Sequence, residues 1–377
     1  MGTKTVSTTK KFSGETRSTG GSPWKPYTLD FTDRATVTSI GHDWPRSKGS
    51  GDVGGPFLLD KLEWFVHPVV INRNLVRGAT IPARIGTWTF NGPTLASDST
   101  MKGLGTTAIA RSLPTNPSAS LAQFLGEARE GFPKTFGSGL LKEKTRIAKG
   151  AGSEYLNVEF GWKPLVSDVQ NFAHAVKHTH KIIRSYHEGS GKKIRRRYAF
   201  PPVSDVRTSG PSGGFLTPTI GSYGCDGNAT EYNDDRSWFS GAFRYFVPVG
   251  SSTLDKMKRF EADANHLLGV RLTPELMWEL APWSWAVDWF TNVGDILHNI
   301  SALGHDGLLM QYGYMMSSSV STQVTSFTAT EGSGEVIKRM TFKKRIPASP
   351  YGFNTVFDGL SNRQKAICAA IGITRVR

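Results

Sequence analysis

Four clusters of cationic side chains stand out in the 377-residue chain, and the chemistry they suit is phosphate binding. They are Lys142, Lys144, Arg146 and Lys149; Lys177, Lys181 and Arg184; Lys192 and Lys193 with Arg195, Arg196 and Arg197; and Lys343, Lys344 and Arg345. Phosphates repeat along a nucleic-acid strand, so a row of cations neutralises several at once, and a guanidinium can grip one through two hydrogen bonds. Any single cluster is more often a solvated face of a fold. Four of them, in a chain with 45 Lys plus Arg against 31 Asp plus Glu and a formal charge of +14, point to a polyanionic partner. Tyr186 and Tyr198 flank the arginine run, where they either stack on unpaired bases or pack into the fold.

Residues for bond-making chemistry are scarcer. There is no G-x-x-x-x-G-K-[ST] phosphate loop and no G-x-G-x-x-G directly after a predicted strand. His174, His178 and His180 sit at helix spacing but lack an H-E-x-x-H pattern, so they read as solvated or packed histidines and no metal site is expected. Asp288 and Asp295, seven apart, are better explained by pairing with a cation than as an acid and base. Two cysteines, Cys225 and Cys368, exclude a disulfide scaffold and a Cys-rich zinc site. The expectation is a protein that is not an enzyme and carries no cofactor. The competing enzyme reading is a metal-dependent nuclease using His174, His178 and Asp168; a host RNA-binding module is a third.

The elements that must position these residues segregate into blocks. Residues 1–26 read as a flexible Gly/Ser/Thr-rich arm, and 27–117 as a mainly β region with strands around Trp64 and Val69. Residues 118–190 read as helical. Within them a helix opens at Pro164 with an apolar stripe of Leu165, Val169, Phe172, Val176, His180 and Ile183, and stops at Gly189. Residues 191–250 return to β, with a loop at 209–224. A helical core follows over 251–303. Its first helix places Leu254, Met257, Phe260, Ala264 and Leu267 on one face. Its second starts at Thr273-Pro274 and runs for about six turns, with Trp278, Trp283, Trp285 and Trp289 inward. Trp162 is a further core residue. Residues 304–350 read as a hairpin with arms Met310 to Thr328 and Glu335 to Ile346 and Gly332-Ser333-Gly334 as its turn, and 351–377 as a C-terminal helix and basic tail. Blocks of strand and helix that do not alternate predict an α+β fold. No run of about 18 uncharged apolar residues is present, and the N-terminal segment lacks an apolar signal core, so neither a spanning helix nor a leader is expected.

Two segments carry more than composition. Phe160-Gly161-Trp162-Lys163-Pro164-Leu165-Val166-Ser167-Asp168-Val169 resembles the F-G-W-x-P-L-x-S-D-I stretch of the maturation (A) proteins of single-stranded RNA bacteriophages, with Val169 in place of the final Ile. Trp278-Glu279-Leu280-Ala281-Pro282-Trp283-Ser284-Trp285-Ala286-Val287-Asp288-Trp289, continuing to Val293-Gly294, resembles that family's W-E-x-x-P-[FW]-S-[FW]-x-V-D-W-x-x-x-V-G helix. The segments fall in the family's order and at its separation; the N-terminal hundred residues or so and residues 200–235 show no match. The resemblance implies an elongated α+β body with a helical bundle at one end and an antiparallel β region at the other. It implies a virion protein that holds the 3′ region of the phage genomic RNA, contacts coat protein, attaches the particle to a host pilus and enters the host cytoplasm with the RNA. Both segments are helix-core sequence, so the RNA-contact residues rest on charge alone.

Overall fold

The computed structural model describes residues 2–39, 54–83, 92–118, 155–156, 158–159, 163–218, 223–251, 253–268, 291–305 and 307–352. It is a mixed α and β structure with a large antiparallel sheet. The chain divides into two compact units, each made of three segments. The first is Met1–Met101, Ala199–Phe239 and Tyr314–Pro347; the second is Lys102–Tyr198, Ser240–Gly313 and Ala348–Arg377.

The first unit is built on strands. The strands in chain order are β1 (Gly2–Thr16), β2 (Lys25–Ser39), β3 (Phe57–His67), β4 (Val69–Asn72), β5 (Val76–Pro82), β6 (Ile194–Ala199), β7 (Val203–Thr217), β8 (Gly224–Arg244), β9 (Leu309–Ala329) and β10 (Gly332–Pro347); β6 belongs to the second unit up to Tyr198, and β8 and β9 run on into it. Their order is β1-β2-β3-β10-β9-β8-β7-β5-β4, with β6 paired to β8. β1 also pairs with β5 through Gly14–Gly78, Glu15–Arg77 and Thr16–Val76, so eight strands close into a ring. Inside it, Phe31, Val69, Ile71, Val76, Ile81, Leu216, Cys225, Phe327 and Val336 form the core. Strand alternation selects them: Val69 and Ile71 point in, while Val70 between them is exposed. Part of the interior is polar. Glu231 is 1% exposed and accepts a 2.6 Å hydrogen bond from the Ser321 hydroxyl, and Ser317, Ser319 and Gln323 are buried on the same strand as Ser321.

Three expectations are corrected here. Residues 2–16 are not an arm. They form β1, paired residue for residue with β2, and threonine hydroxyls face each other at Thr3–Thr38, Thr5–Thr36 and Thr9–Thr32 across 3.0–3.4 Å. Thr-rich sequence reads as a loop by composition, but β-branched threonines suit an exposed strand face. The loop expected at 209–224 is mostly strand, since β7 continues to Thr217 past a register shift between Ser209 and Ser212. The region expected to be mainly β contains helix α1 (Asp98–Ser112), whose N-terminus is capped by Ser97 Oγ accepting the Thr100 N–H at 3.1 Å. Gly103, Gly105, Thr106 and Thr107 are poor helix formers; here packing overrides propensity, and Met101, Thr106, Ala108 and Ile109 are fully buried.

The second unit is built on helices α2 (Lys163–Lys177), α3 (Thr179–Gly189), α4 (Thr253–Leu268) and α5 (Val293–His305), with most of α1. The single helix expected from Pro164 to Gly189 breaks at His178, whose φ and ψ are −110° and 14°. Among the described side chains Ala175, Ile182, Ile183 and Tyr186 face inward, and His180, expected on the buried stripe, is exposed. Ala175 and Leu267 join α2 to α4 in a small core. Phe260, expected on the buried face of α4, is 77% exposed. α5 holds α1 through polar side chains. The Asn299 amide donates to Thr106 O at 3.1 Å, and Thr107 donates to the Asp295 carboxylate at 2.6 Å. The last turns of the helix expected from Thr273 fall in α5. Trp162, Trp278, Trp283, Trp285, Trp289 and the helix expected at 360–371 lie outside the described residues.

Candidate nucleic-acid interface

Two of the four cationic clusters come together in the second unit. Lys177 ends α2, and Lys181 and Arg184 follow on α3, all exposed and opposite the Ala175–Ile182–Tyr186 stripe. A tight turn then carries the chain into β6. Gly191 takes φ +73°, a conformation that favours glycine, and its N–H donates to Tyr245 O at 2.8 Å. The Ser190 hydroxyl accepts the Val247 N–H at 2.9 Å, so the turn is fixed to the segment after β8. Gly189 packs so closely on Tyr245 that a Cβ there would overlap its hydroxyl. This pinned turn presents Lys192 and Lys193, both exposed, and delivers Arg195, Arg196 and Arg197 on β6.

Alternation divides the arginines. Arg195 and Arg197 share one face of β6, and Arg196 lies on the other with Ile194 and Tyr198. Arg196 is close enough to Tyr245 to act on it: burial pushes the Tyr245 hydroxyl up, and the Arg196 charge pulls it partly back. Lys193 Nζ lies 4.9 Å from the Tyr312 ring centroid. Arg184 pairs with Glu188 one turn later at 2.8 Å, with both side chains exposed. The result is an exposed strip of cations along α2, α3, the turn and β6, able to contact successive phosphates. α4 adds exposed Lys256 and Lys258, which belong to none of the four clusters.

The other clusters do not join this strip. Lys142, Lys144, Arg146 and Lys149 lie outside the described residues. Lys343, Lys344 and Arg345 belong to the first unit, and only Lys343 is exposed. Lys344 pairs with Asp98 at 2.5 Å and donates to Ala96 O at 3.0 Å. Arg345 donates to Gly55 O at 2.7 Å, and its guanidinium lies 4.8 Å and 5.0 Å from the Phe57 and Tyr314 rings. These two cations hold the sheet together. Tyr186 is not a stacking platform for bases either. It is buried with rings on it already, Tyr245 at 4.9 Å and His266 at 4.1 Å. Tyr198 is half-buried on β6.

The residues weighed for catalysis are dispersed into structural roles. The His174 and His178 ring centroids lie 4.3 Å apart with the planes tilted by 34°, and His178 Nδ1 lies 3.0 Å from the His174 carbonyl. Burial raises the Asp168 carboxyl above its ordinary value. Among the described residues no three His, Cys, Asp or Glu side chains gather as metal ligands. Asp295 accepts from Thr107 and lies 4.0 Å from Arg111, a structural pairing; Asp288 lies outside the described residues. The sequence Gly210-Pro211-Ser212-Gly213-Gly214 has the Gly-x-Ser-x-Gly spacing, but it lies inside β7 and not at a strand-to-helix turn, so it is no nucleophile elbow. Cys225 is a buried free thiol, and Cys368 lies outside the described residues. A cleft of about 690 Å³ in the first unit is bordered by His67, Asp226, Asn228, Ser326, Ser333 and Glu335; its acidic lining repels phosphate. Among the described residues no helix is long and apolar enough to cross a membrane.

Comparison with known proteins identifies one family. The family model described as phage maturation protein matches residues 140–310. No curated protein matches the chain. The matched stretch contains α2, α3, β6, α4 and α5, and with them the whole cationic strip.

Proposed function

Residues 140–310 belong to the phage maturation protein family, and from that premise we propose that the chain holds its phage's genomic RNA through the cationic strip of α2, α3 and β6. A phage maturation protein is a virion component of a structural and attachment family, not a known enzyme family. The observation that carries the RNA reading is placement: Lys177, Lys181, Arg184, Lys192, Lys193, Arg195, Arg196 and Arg197 are exposed on neighbouring elements of one unit, inside the family-matched stretch. Cations spaced along two helices and a strand suit the backbone of folded RNA, read by shape more than by base edges. The bound region is the 3′ part of the genome, with the helices gathered as a bundle toward the RNA and coat protein around it. The β unit, with its long hairpins and exposed turns, attaches the particle to a host pilus. The protein then enters the cytoplasm with the RNA, a course that requires no covalent chemistry.

Crosslinking RNA to protein inside purified particles tests this reading. Crosslinked peptides from Lys177 to Arg197, joined to RNA from the 3′ region, are the expected result. Crosslinks confined to β1–β5 or β9–β10 would remove the strip from the interface. Intact labelled RNA after incubation with the protein and divalent metals is expected, and cleavage would favour a nuclease.

A further inference from the structure

A different cationic feature lies in the first unit, where several turns gather at one end of the strand ring. Arg17, just after β1, donates its backbone N–H to Leu75 O at 3.0 Å and its Nε to Asn74 O, both in the β4–β5 turn. Thr16 Oγ1 donates to the same Leu75 carbonyl at 3.0 Å. The Leu75 N–H donates to the Tyr223 hydroxyl at 3.4 Å, beside the start of β8. Arg73 of the β4–β5 turn pairs with Glu331 of the β9–β10 turn at 3.0 Å. Turns from four parts of the sequence are thus tied together by hydrogen bonds and an ion pair.

Within this assembly the guanidinium carbons of Arg17 and Arg77 each lie 4.4 Å from the Trp24 ring centroid, which puts them within about 9 Å of each other. Each is drawn to the indole by a cation–π contact, yet the two repel one another. Arg77 stands opposite Glu15 in the β1–β5 register, but among the described residues neither arginine forms an ion pair with a carboxylate. Arg17 is fixed by the Asn74 carbonyl, and Arg77 is exposed. Two guanidiniums gathered on one indole without a carboxylate attract an anion, which each can hold bidentately. Trp and Arg at a fixed surface are also the side chains that dominate protein interfaces. RNA is disfavoured as the occupant, because guanidiniums already occupy the indole on which a base would stack.

We propose that Arg17, Trp24 and Arg77 form a carboxylate-binding site for an acidic segment of a protein partner. The proposal rests on the attachment reading for its biological setting and adds the chemistry of the contact: glutamate or aspartate side chains on the receptor. The decisive measurement does not depend on that setting. A fluorescein-labelled hexaglutamate peptide is titrated into the full-length protein by anisotropy at about 50 mM salt, alongside a hexaglutamine peptide and a single-stranded RNA oligomer.

The expected result is that Arg17→Gln with Arg77→Gln weakens hexaglutamate binding at least tenfold and leaves RNA affinity within about twofold. Trp24→Leu, which changes no charge, weakens hexaglutamate binding similarly because the arginines lose their common support. Arg77→Gln alone, at an exposed position, serves if the double variant does not fold. Wild-type hexaglutamate affinity in these folded variants overturns the proposal. So does a loss of RNA affinity in place of peptide affinity, which would mark a nucleic-acid site. Wild-type particles that fail to bind piliated cells would refute the attachment reading, while the peptide titration alone decides the carboxylate site.

Discussion

Neutralising Arg195 and Arg197 together gives the sharpest test of the cationic strip. The two side chains leave the same face of β6, about 6.6 Å apart along the strand, a spacing that lets each hold its own phosphate. Both are exposed, so Arg195→Gln with Arg197→Gln is expected to change folding stability by no more than about 0.5 kcal/mol per site. Its effect on RNA binding follows from counterion release. Each phosphate contact on single-stranded nucleic acid contributes roughly 0.7 to the slope of log affinity against log salt, so losing two lowers the slope by about 1.4. At 0.1 M salt that is a loss of about 25-fold, shrinking toward nothing near 1 M. The assay is fluorescence anisotropy of a labelled 3′ genomic fragment between about 0.05 and 0.4 M salt, with a thermal melt to confirm folding. Wild-type and variant lines of equal slope would refute the reasoning even if affinity fell, because an affinity loss without a slope change does not come from phosphate contacts.

Three further outcomes follow from the packing. Tyr186→Ala removes a buried ring stacked between Tyr245 and His266, and a loss of about 3–5 kcal/mol in chemical denaturation is expected; a loss under about 1 kcal/mol would mean the stack is not part of the core. Burial lowers the pKa of His266, against smaller opposing effects of the Thr115 carbonyl and Asp263. The folded state therefore keeps this imidazole neutral while the unfolded chain protonates it near pH 6.5, so stability is full above that pH and falls as pH drops toward the lowered folded value. Melting temperature should decline less between pH 7 and 5 in His266→Phe than in wild type, and parallel declines would contradict this. Glu231 leaves its Oε2 buried without a hydrogen-bond partner, so Glu231→Gln, which removes the charge and retains an acceptor for Ser321, should match or exceed wild-type stability in urea. A loss above about 2 kcal/mol would show that the charge itself is stabilising.

What the sequence made legible follows from how local the signals are. The β9–β10 hairpin was readable from its two arms, but not its turn: Gly332, Ser333 and Gly334, expected to make the reversal, belong to β10, and the register, with Gly332 opposite Ala329, puts the turn at Thr330 and Glu331. α4 was readable from its cap and spacing, but not its orientation, since Phe260 fits an apolar stripe and yet stands in solvent. The Pro164–Gly189 segment kept its helical character as two helices parted at His178, but its spacing did not tell which face is inside: Ala175 and Tyr186 are buried and His180 is exposed. α1 and β1 were missed because threonine and glycine carry weak local preferences, and both elements depend on distant partners: Asn299 and Asp295 for α1, the whole of β2 for β1. The polar interior around Glu231 has no local signal, because a glutamate inside a ring of strands looks in sequence like one outside it.

The same limit governs the candidate site, and it explains why a count of charges was only half a guide. In the first unit cations are repeatedly matched: Lys10 with Asp33, Arg34 with Asp60, Lys61 with Glu63, Arg207 with Asp205, Arg236 with Asp234, and Lys344 with Asp98. A matched cation offers a phosphate little, because the attraction must compete with a carboxylate already in place. Along α2, α3 and β6 the ion pairs are Lys163 with Glu159, Arg184 with exposed Glu188 and His187 with Asp263, while Lys177, Lys181, Lys192, Lys193 and Arg195 stand exposed. The field that a polyanion meets depends on charge left unmatched at a surface, not on the residue count. Lys343-Lys344-Arg345 and Lys192 to Arg197 are alike as strings of letters. They differ because β10 places Asp98, Ala96 O, Gly55 O and two aromatic rings around Lys344 and Arg345, whereas the turn at Gly191 leads Lys192, Lys193 and Arg195 into solvent.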